Sequence, residues 1–386
     1  MPIDNEVLQP MLDAVQDGNI NILMGSGSSV PFLPTLGNIE ELLTSLEKQP
    51  SLSDKKKKII RVSLYKKYFD DVLAKNIEIL KRSTAAKTIS DNYEAFLKHL
   101  NKLLLARKST VLAKQVNLFT TNVDIFLEKA LEEARVEYND GFSGRFDPIF
   151  NLSNFKKSAY KKSLHYDNKS EIPMFNLLKM HGSLVWQSED DEQIKFSPSL
   201  ELIRKLKEIK IPANAFVKDI NERTTISELI EKASNASFHE SLNAFMTTYD
   251  KLCIVNPTKE KFQMTLLNRA YYEILRLYSN ELEKENTILF VMGFSFADEH
   301  IREITLRAAN SNPTLKIYIF ARQSSSVERF KKKFDYFKQV KYDNIQIVRP
   351  SQTDGGTEIE FGFKEINESI FEQLLKKTSS VQQIET

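Results

Sequence analysis

Short, predominantly apolar runs recur along this chain, most ending in small or polar residues and most parted from the next by a helical stretch. They fall at Ile20–Met24, Val116–Phe119, Phe175–Met180, Leu252–Val255, Thr287–Met292, Leu315–Phe320 and Ile345–Val348. A strand with one wet face alternates apolar and polar residues; a continuous apolar run means a strand covered on both faces, which is the condition of a parallel sheet. The intervening LLNRAYYEILRLYSNELEKE, DEHIREITLRAAN and SSVERFKKKFDYFKQV carry helical spacing. The expected fold class is therefore α/β, with a doubly wound, mostly parallel sheet. Residues 1–19 read as a leading helix, Val136–Asn139 as a further strand, and Val185–Trp186 as an extended continuation after the Phe175 strand.

Two intervals break the alternation. Residues 39–114 are rich in Leu, Lys and Glu without a strand pattern, and residues 199–250 are again mostly helical, so both are expected to be helical insertions. The core is then approximately 1–38, 115–198 and 251–349 of one domain, followed by an extension over 350–386. Lys55–Lys58, in a helical setting, is expected to be a solvated face. Residues 141–170 are aromatic, basic and turn-rich, as in a long loop or short hairpins. The polar TSSVQQIET at the C-terminus is expected to fray or to serve an interface.

Charge and cysteine content exclude several functions. The 54 basic residues are offset by 52 acidic ones, for a net charge of +2, so no direct nucleic-acid binding is expected. The single cysteine, Cys253, excludes an intramolecular disulfide and a multi-cysteine zinc site; in the run LCIVNP it reads as a small core residue. No apolar segment reaches the length of a membrane span, and MPIDNEVLQP lacks a signal-peptide pattern, so a cytoplasmic protein without membrane contact is expected.

In a doubly wound sheet, ligands bind beyond the carboxyl ends of the strands. The first strand ends in Gly25-Ser26-Gly27-Ser28-Ser29, although glycine is scarce, 11 in 386 residues. Such a turn lets backbone N–H groups approach a phosphate, but a plain tight turn fits as well, and Val30 stands near the third-glycine position of a dinucleotide fingerprint. The other strand ends supply Thr120-Thr121-Asn122-Val123-Asp124, His181-Gly182-Ser183, Asn256-Pro257-Thr258-Lys259 and Gly293-Phe294-Ser295-Phe296-Ala297-Asp298. Gathered at one sheet edge, they offer groups for a phosphate, a ribose and a reacting bond.

The ordered set GSGSS, TTNVD, KMHG and GFS resembles the NAD-binding core of sirtuin-type proteins, with usual forms GAGxS, TQNxD, xxHG and GxS. PTKEK and GFSFAD are similar to the bacterial SIR2-like subgroup. The resemblance implies a Rossmann-like sheet of sirtuin type. Deacetylase sirtuins carry a four-cysteine zinc module after the HG motif; here that interval has no cysteine, and Thr121 replaces the glutamine of TQNxD. No zinc is expected, and no other metal.

The resemblance implies that NAD+ is a substrate, cleaved between nicotinamide and ribose through an oxocarbenium-like transition state. Nicotinamide leaves as a neutral molecule, so the site needs a fixed ribose, a positioned water and a base. His181 is the implied base and Asn122 the group holding ribose and water. Asp124 receives the carboxamide, with Thr121 beside it; Gly25, Ser26, Gly27, Ser28 and Ser29 cradle the diphosphate, and Gly293 and Ser295 lie against phosphate or adenosine ribose. Structural roles compete at each: a strand-end histidine, a helix cap at Asn122, a first-turn carboxylate at Asp124, a simple turn at Gly293. Asp298 reads as a helix-start carboxylate, Trp186 as core, and Arg145 and His165 gain no role. The implied activity is NAD+ glycohydrolase, serving bacterial or archaeal anti-phage defence, in a homo-oligomer with a HerA-type hexameric ATPase as a possible partner. An NAD or ADP-ribose sensor without turnover, and a protein deacylase or ADP-ribosyltransferase, are the alternatives.

Overall fold

A computed structural model describes residues 5–35, 37–107, 109, 111–188, 193–256, 265–335, 339–349, 358 and 360–384. Its strands in chain order are β1 (Asn19–Met24), β2 (Gln115–Thr120), β3 (Glu137–Asn139), β4 (Phe142–Ser143), β5 (Ile149–Phe150), β6 (Ala159–Lys162), β7 (Lys169–Ile172), β8 (Met174–Lys179), β9 (Trp186–Gln187), β10 (Lys195–Phe196), β11 (Thr287–Met292), β12 (Lys316–Phe320) and β13 (Ile345–Val348). Seven form the central sheet in the order β13-β12-β11-β1-β2-β8-β3, every pairing parallel. β8 and β11 are buried along their whole length, β11 as an apolar run and β8 with Asn176 and Lys179 buried among its apolar residues. The chain is an α/β protein with a Rossmann-like parallel sheet.

Helices cover both faces of the sheet. Phe290 of β11 packs edge-on to Phe371 near the C-terminus, with centroids 5.3 Å apart, and Phe119 of β2 packs on Tyr278 of α10 (Thr265–Leu282) at 5.0 Å. The register places Phe119 opposite Leu23 and Leu23 opposite Val291, the neighbour of Phe290, so the two aromatic contacts lie on opposite faces.

Register in the middle of the sheet is held by polar residues. Asn21, Asn117 and Asn176 stand side by side on β1, β2 and β8. Asn176 Nδ2 donates to Asn117 Oδ1 (2.9 Å), and Asn117 Nδ2 donates to Asn21 Oδ1 (2.8 Å). A one-residue slip would bury these amides without partners, at a cost of about 1–3 kcal/mol for each orphaned group.

The interval 39–114 is helical: α2 (Ile39–Glu47), α3 (Asp54–Tyr68), α4 (Asn76–Leu80) and α5 (Thr84–Leu105), after α1 (Asn5–Asp17). Lys55–Lys58 lie in the first turns of α3, Lys55 exposed and Lys56, Lys57 and Lys58 half-buried, with Lys56 reaching Ser234 Oγ at 3.1 Å. α5 rests on α6 (Phe126–Ala134) and carries a buried stripe, Ile89, Tyr93, Phe96, Leu97 and Leu100, at helical spacing. The interval 199–250 holds α7 (Glu201–Glu208), α8 (Ile226–Ser234) and α9 (Ser241–Tyr249); Thr225 and Glu228 form a reciprocal capping box on α8.

Two expectations need correction. Leu252–Val255 is buried, but among the described residues it makes only one antiparallel bridge, Ile254 to Gly182, and β11 pairs directly with β1. A four-residue apolar run is equally satisfied by a buried loop, since burial rather than pairing is what its composition demands. Val185–Trp186 does not continue the central strand; Trp186 begins β9 of a separate four-stranded sheet, β4-β5-β10-β9, where its ring packs on Phe150 at 4.9 Å. At the C-terminus the helix Glu372–Ile384 runs through most of the polar tail, because an established helix gains one hydrogen bond for each residue it adds.

Candidate active site

The carboxyl ends of β1, β2, β8 and β11 meet at one edge of the sheet. Beyond β1 the chain enters a 3-10 turn, Ser26–Ser29, in contact with the turn that follows β11. Gly25 N–H donates to Met292 O (3.0 Å) and Gly27 N–H donates to Gly293 O (2.9 Å). A Cβ on Gly27 would lie 2.8 Å from Gly293 Cα, and one on Gly293, at φ +61°, would lie 2.4 Å from Ser28 N. Two backbones at this separation leave no room for side chains, which accounts for the glycines independently of any ligand. The Ser28 N–H also has a partner, Gly25 O at 3.0 Å, so an incoming diphosphate meets a turn in which three N–H groups are engaged. Ser26, Gly293 and Ser295 are exposed there, Gly27 is half-buried, and Lys333 Nζ holds Ser295 O at 2.8 Å.

Beneath the turn lies a buried polar centre. Thr121 N–H donates to Met24 O (3.2 Å) and Thr120 Oγ1 donates to the same carbonyl (3.0 Å), locking the end of β2 to β1. Asn122 Nδ2 donates to Gly25 O at 3.1 Å and sits 3.4 Å from Ser29 Oγ. Ser29 Oγ donates to Asp124 Oδ2 (3.0 Å), while Asp124 Oδ1 accepts from Phe126 N–H (3.1 Å) at the start of α6. Asp124 thus does what a first-turn carboxylate does and also faces Ser29. Burial raises its pKa above the usual carboxylate value, opposed by the nearby Lys179 ammonium. Asn122 and Asp124 keep only 7% and 6% of their surface exposed, and Ser29 none.

Tyr93 completes this centre from α5, a helix outside the sheet core. Its hydroxyl lies 3.1 Å from Ser29 Oγ, the atom that Asn122 Nδ2 also approaches, and its ring stacks on Phe126 with centroids 5.3 Å apart. Burial raises the Tyr93 pKa well above its ordinary value, so it is a neutral phenol.

At the end of β8, Met180 N–H donates to Thr120 O (2.8 Å) and the chain turns sharply at Gly182 (φ +77°), where a Cβ would lie 2.1 Å from Cys253 O. His181 is carried on this turn, its carbonyl accepting from Val255 N–H at 2.9 Å. Its Nε2 lies 3.1 Å from Asp298 Oδ2. Asp298 is the N-cap of α11 (Glu299–Ser311), with Oδ1 accepting from His300 and Ile301 N–H at 3.1 and 3.4 Å. The helix-start role read from the sequence is correct, and the same carboxylate also orients the histidine. A carboxylate only accepts, so Nε2 carries the proton and the neutral ring has its lone pair on Nδ1.

A buried ion pair joins the two motifs from below. Lys179, with 3% of its side chain exposed, lies 3.1 Å from Glu128 Oε1, and its ammonium also donates to Asp124 O. Ser183 Oγ donates to Glu128 Oε1 at 2.6 Å. The Asp124 turn and the His181 turn are therefore tied through one lysine. Lys179 had a signal in the sequence, a charge closing an otherwise apolar run; Tyr93 had none, since its helix gives no hint of where it docks.

A family profile described as SIR2-like domain matches residues 116–347, more than half of the chain. The chain belongs to the SIR2-like domain family. No protein in the curated set matches it. Membership points to an NAD-utilising enzyme. The matched span of the SIR2-like chain contains Asn122, His181 and Gly293, while the Gly25–Ser29 turn lies outside it and is brought to the site by the β1–β2 and β1–β11 pairings. Among the described residues no cluster of three or more His, Cys, Asp or Glu could hold a metal ion, and no helix is long and apolar enough to cross a membrane. Pro257, Thr258 and Lys259, and with them PTKEK, lie outside the described residues.

Proposed function

We propose that this SIR2-like chain hydrolyses NAD+ at the nicotinamide–ribose bond, giving ADP-ribose and nicotinamide. The observation that carries the reading is the His181–Asp298 pair, 3.1 Å apart, at the sheet edge shared with Asn122 and the Gly25–Ser29 turn. The glycosidic bond breaks with its electrons passing to the nicotinamide nitrogen, which leaves neutral. Water adds to the oxocarbenium carbon, and its proton passes to Nδ1 of His181, directly or through a ribose hydroxyl. Asn122 orients ribose and water; Asp124 and Thr121 receive the carboxamide side; Ser26, Gly27 and Ser295 offer the open surface for the diphosphate and adenosine ribose.

The experiment incubates purified protein with NAD+ and follows nicotinamide for wild type, Asn122→Ala and His181→Ala. Loss of release in both variants is expected; equal rates in all three would overturn the reading. A sensor without turnover is favoured by the near-complete burial of Asn122, Asp124 and Ser29, and predicts calorimetric NAD+ binding without nicotinamide release. In the cell we propose a prokaryotic anti-phage effector that depletes NAD+, assembled as a homo-oligomer with a HerA-type ATPase. This rests on resemblance to SIR2-like proteins of similar size, and sizing the protein with and without its genomic neighbour tests it.

A further inference from the structure

The β6–β7 hairpin stands apart from the central sheet as a two-stranded unit. Every residue from Tyr160 to Ser170 is exposed, on both faces. Two-stranded ribbons are marginal alone in water, and this one presents Tyr160, Leu164 and Tyr166 with 60%, 95% and 72% of their surface open. Between Lys156 and Ile172 there are five lysines against Asp167 and Glu171, a local charge of +3 where the entire chain carries +2. The register sets Lys162 directly opposite Lys169, a like-charge pair that destabilises a ribbon unless an anion lies across it; Asp167 offsets only one of the two, at 2.8 Å from Lys162. Among the described residues Lys161 and Lys169 have no ion-pair partner.

We propose that the β6–β7 hairpin binds single-stranded nucleic acid that wraps across the ribbon: Lys162 and Lys169 on one face and Lys161 on the other hold phosphates, while Tyr160, on the Lys162 face, and Tyr166, at the turn, stack on bases. Lysines interleaved with exposed aromatics are the combination that holds a flexible polyanion whose units each carry a flat face. A second copy of the hairpin would meet it with like charge and is disfavoured. The near-neutral charge that argues against nucleic acid is an average over the chain, and binding depends on the local field. The hairpin is rooted at the start of β2, where Lys114 N–H donates to Glu171 Oε2 (3.1 Å) and Gln115 Nε2 to Ser158 Oγ (2.8 Å). Asn122 follows the other end of that six-residue strand, so the hairpin lies about 20 Å from the candidate active site and its occupancy leaves that edge open.

The test is fluorescence anisotropy of the full chain with labelled mixed-sequence 20-nucleotide single strands of DNA and of RNA. Binding should weaken roughly 20- to 50-fold between 50 and 200 mM salt, as three or four phosphate contacts imply. Lys161→Glu with Lys169→Glu, and separately Tyr160→Ala with Tyr166→Ala, should each weaken it at least about ten-fold. Both pairs are exposed, so unchanged melting curves establish that the variants fold. Absence of binding at low salt, or binding that neither double variant alters, overturns the proposal. So does equal binding of poly-glutamate with no dependence on the tyrosines, which would assign the hairpin to an acidic protein. None of these readouts depends on NAD+ turnover.

Discussion

Asp298 serves His181 and helix α11 with different oxygens: Oδ2 lies 3.1 Å from His181 Nε2, while Oδ1 accepts the N–H groups of His300 and Ile301. The helix therefore fixes the carboxylate, and the carboxylate fixes the imidazole. Asp298→Asn separates the two duties. Its amide oxygen must stay on the helix N–H groups, which turns Nδ2 towards His181 and forces Nε2 to become the acceptor. The lone pair then leaves Nδ1. Nicotinamide release should fall by about 10²- to 10⁴-fold, while asparagine caps as well as aspartate and the melting temperature stays within about 2 °C.

Tyr93→Phe keeps the ring against Phe126 and removes only the hydroxyl beside Ser29. A stability loss of about 1 kcal/mol in urea unfolding is expected, with a larger proportional loss of NAD+ cleavage, because Ser29, which also meets Asn122 and Asp124, loses a partner. Tyr93→Ala should cost about 3–5 kcal/mol through the cavity it leaves. If Tyr93→Phe lowers stability without touching nicotinamide release, the tyrosine is packing alone.

The Lys179–Glu128 pair is buried, and removing one partner strands the other charge. Lys179→Met should destabilise by about 3–5 kcal/mol in chemical denaturation, and Glu128→Gln by a smaller amount, since the amide still accepts from Ser183. Combining Lys179→Met with Glu128→Leu should recover part of the loss. A double variant as unstable as the sum of Lys179→Met and Glu128→Leu measured singly would show that the two side chains do not interact.

Asp124 gives a pH dependence opposite to that of a salt-bridged surface acid. Burial raises its folded-state pKa, so the folded protein holds the proton more tightly than the unfolded chain does. That contribution to stability is complete below the ordinary value of 3.8 and is lost as pH rises through the raised folded value. Asp124→Asn, which cannot ionise, should therefore gain stability relative to wild type as pH rises across that window. Parallel stability–pH curves for the two proteins would contradict the assignment.

Much of the fold was legible because the inner strands of the sheet are covered on both faces and so write predominantly apolar runs. Asn122, His181 and the glycine turn were legible for a related reason: small and polar residues directly after such runs have few places to be except the sheet edge. The same logic misplaced Leu252–Val255, since burial without pairing leaves the same composition. The contact between Gly27 and Gly293 was invisible, because each glycine alone fits any tight turn.

The sequence by itself determined most of the central strands, the helical intervals and the small and polar residues that end the strands at the site, since periodicity, capping and turn chemistry act over a few neighbouring positions. It also determined that no multi-cysteine zinc site could be built, as only Cys253 is present. Only the tertiary structure decided what those strand ends meet. Asp298 lies 117 residues from the histidine it holds, and Tyr93 lies 64 residues from Ser29 on a helix outside the sheet core. Such pairings follow from how whole layers pack, and the free energy that selects one packing is summed over the core rather than carried by either residue of the pair.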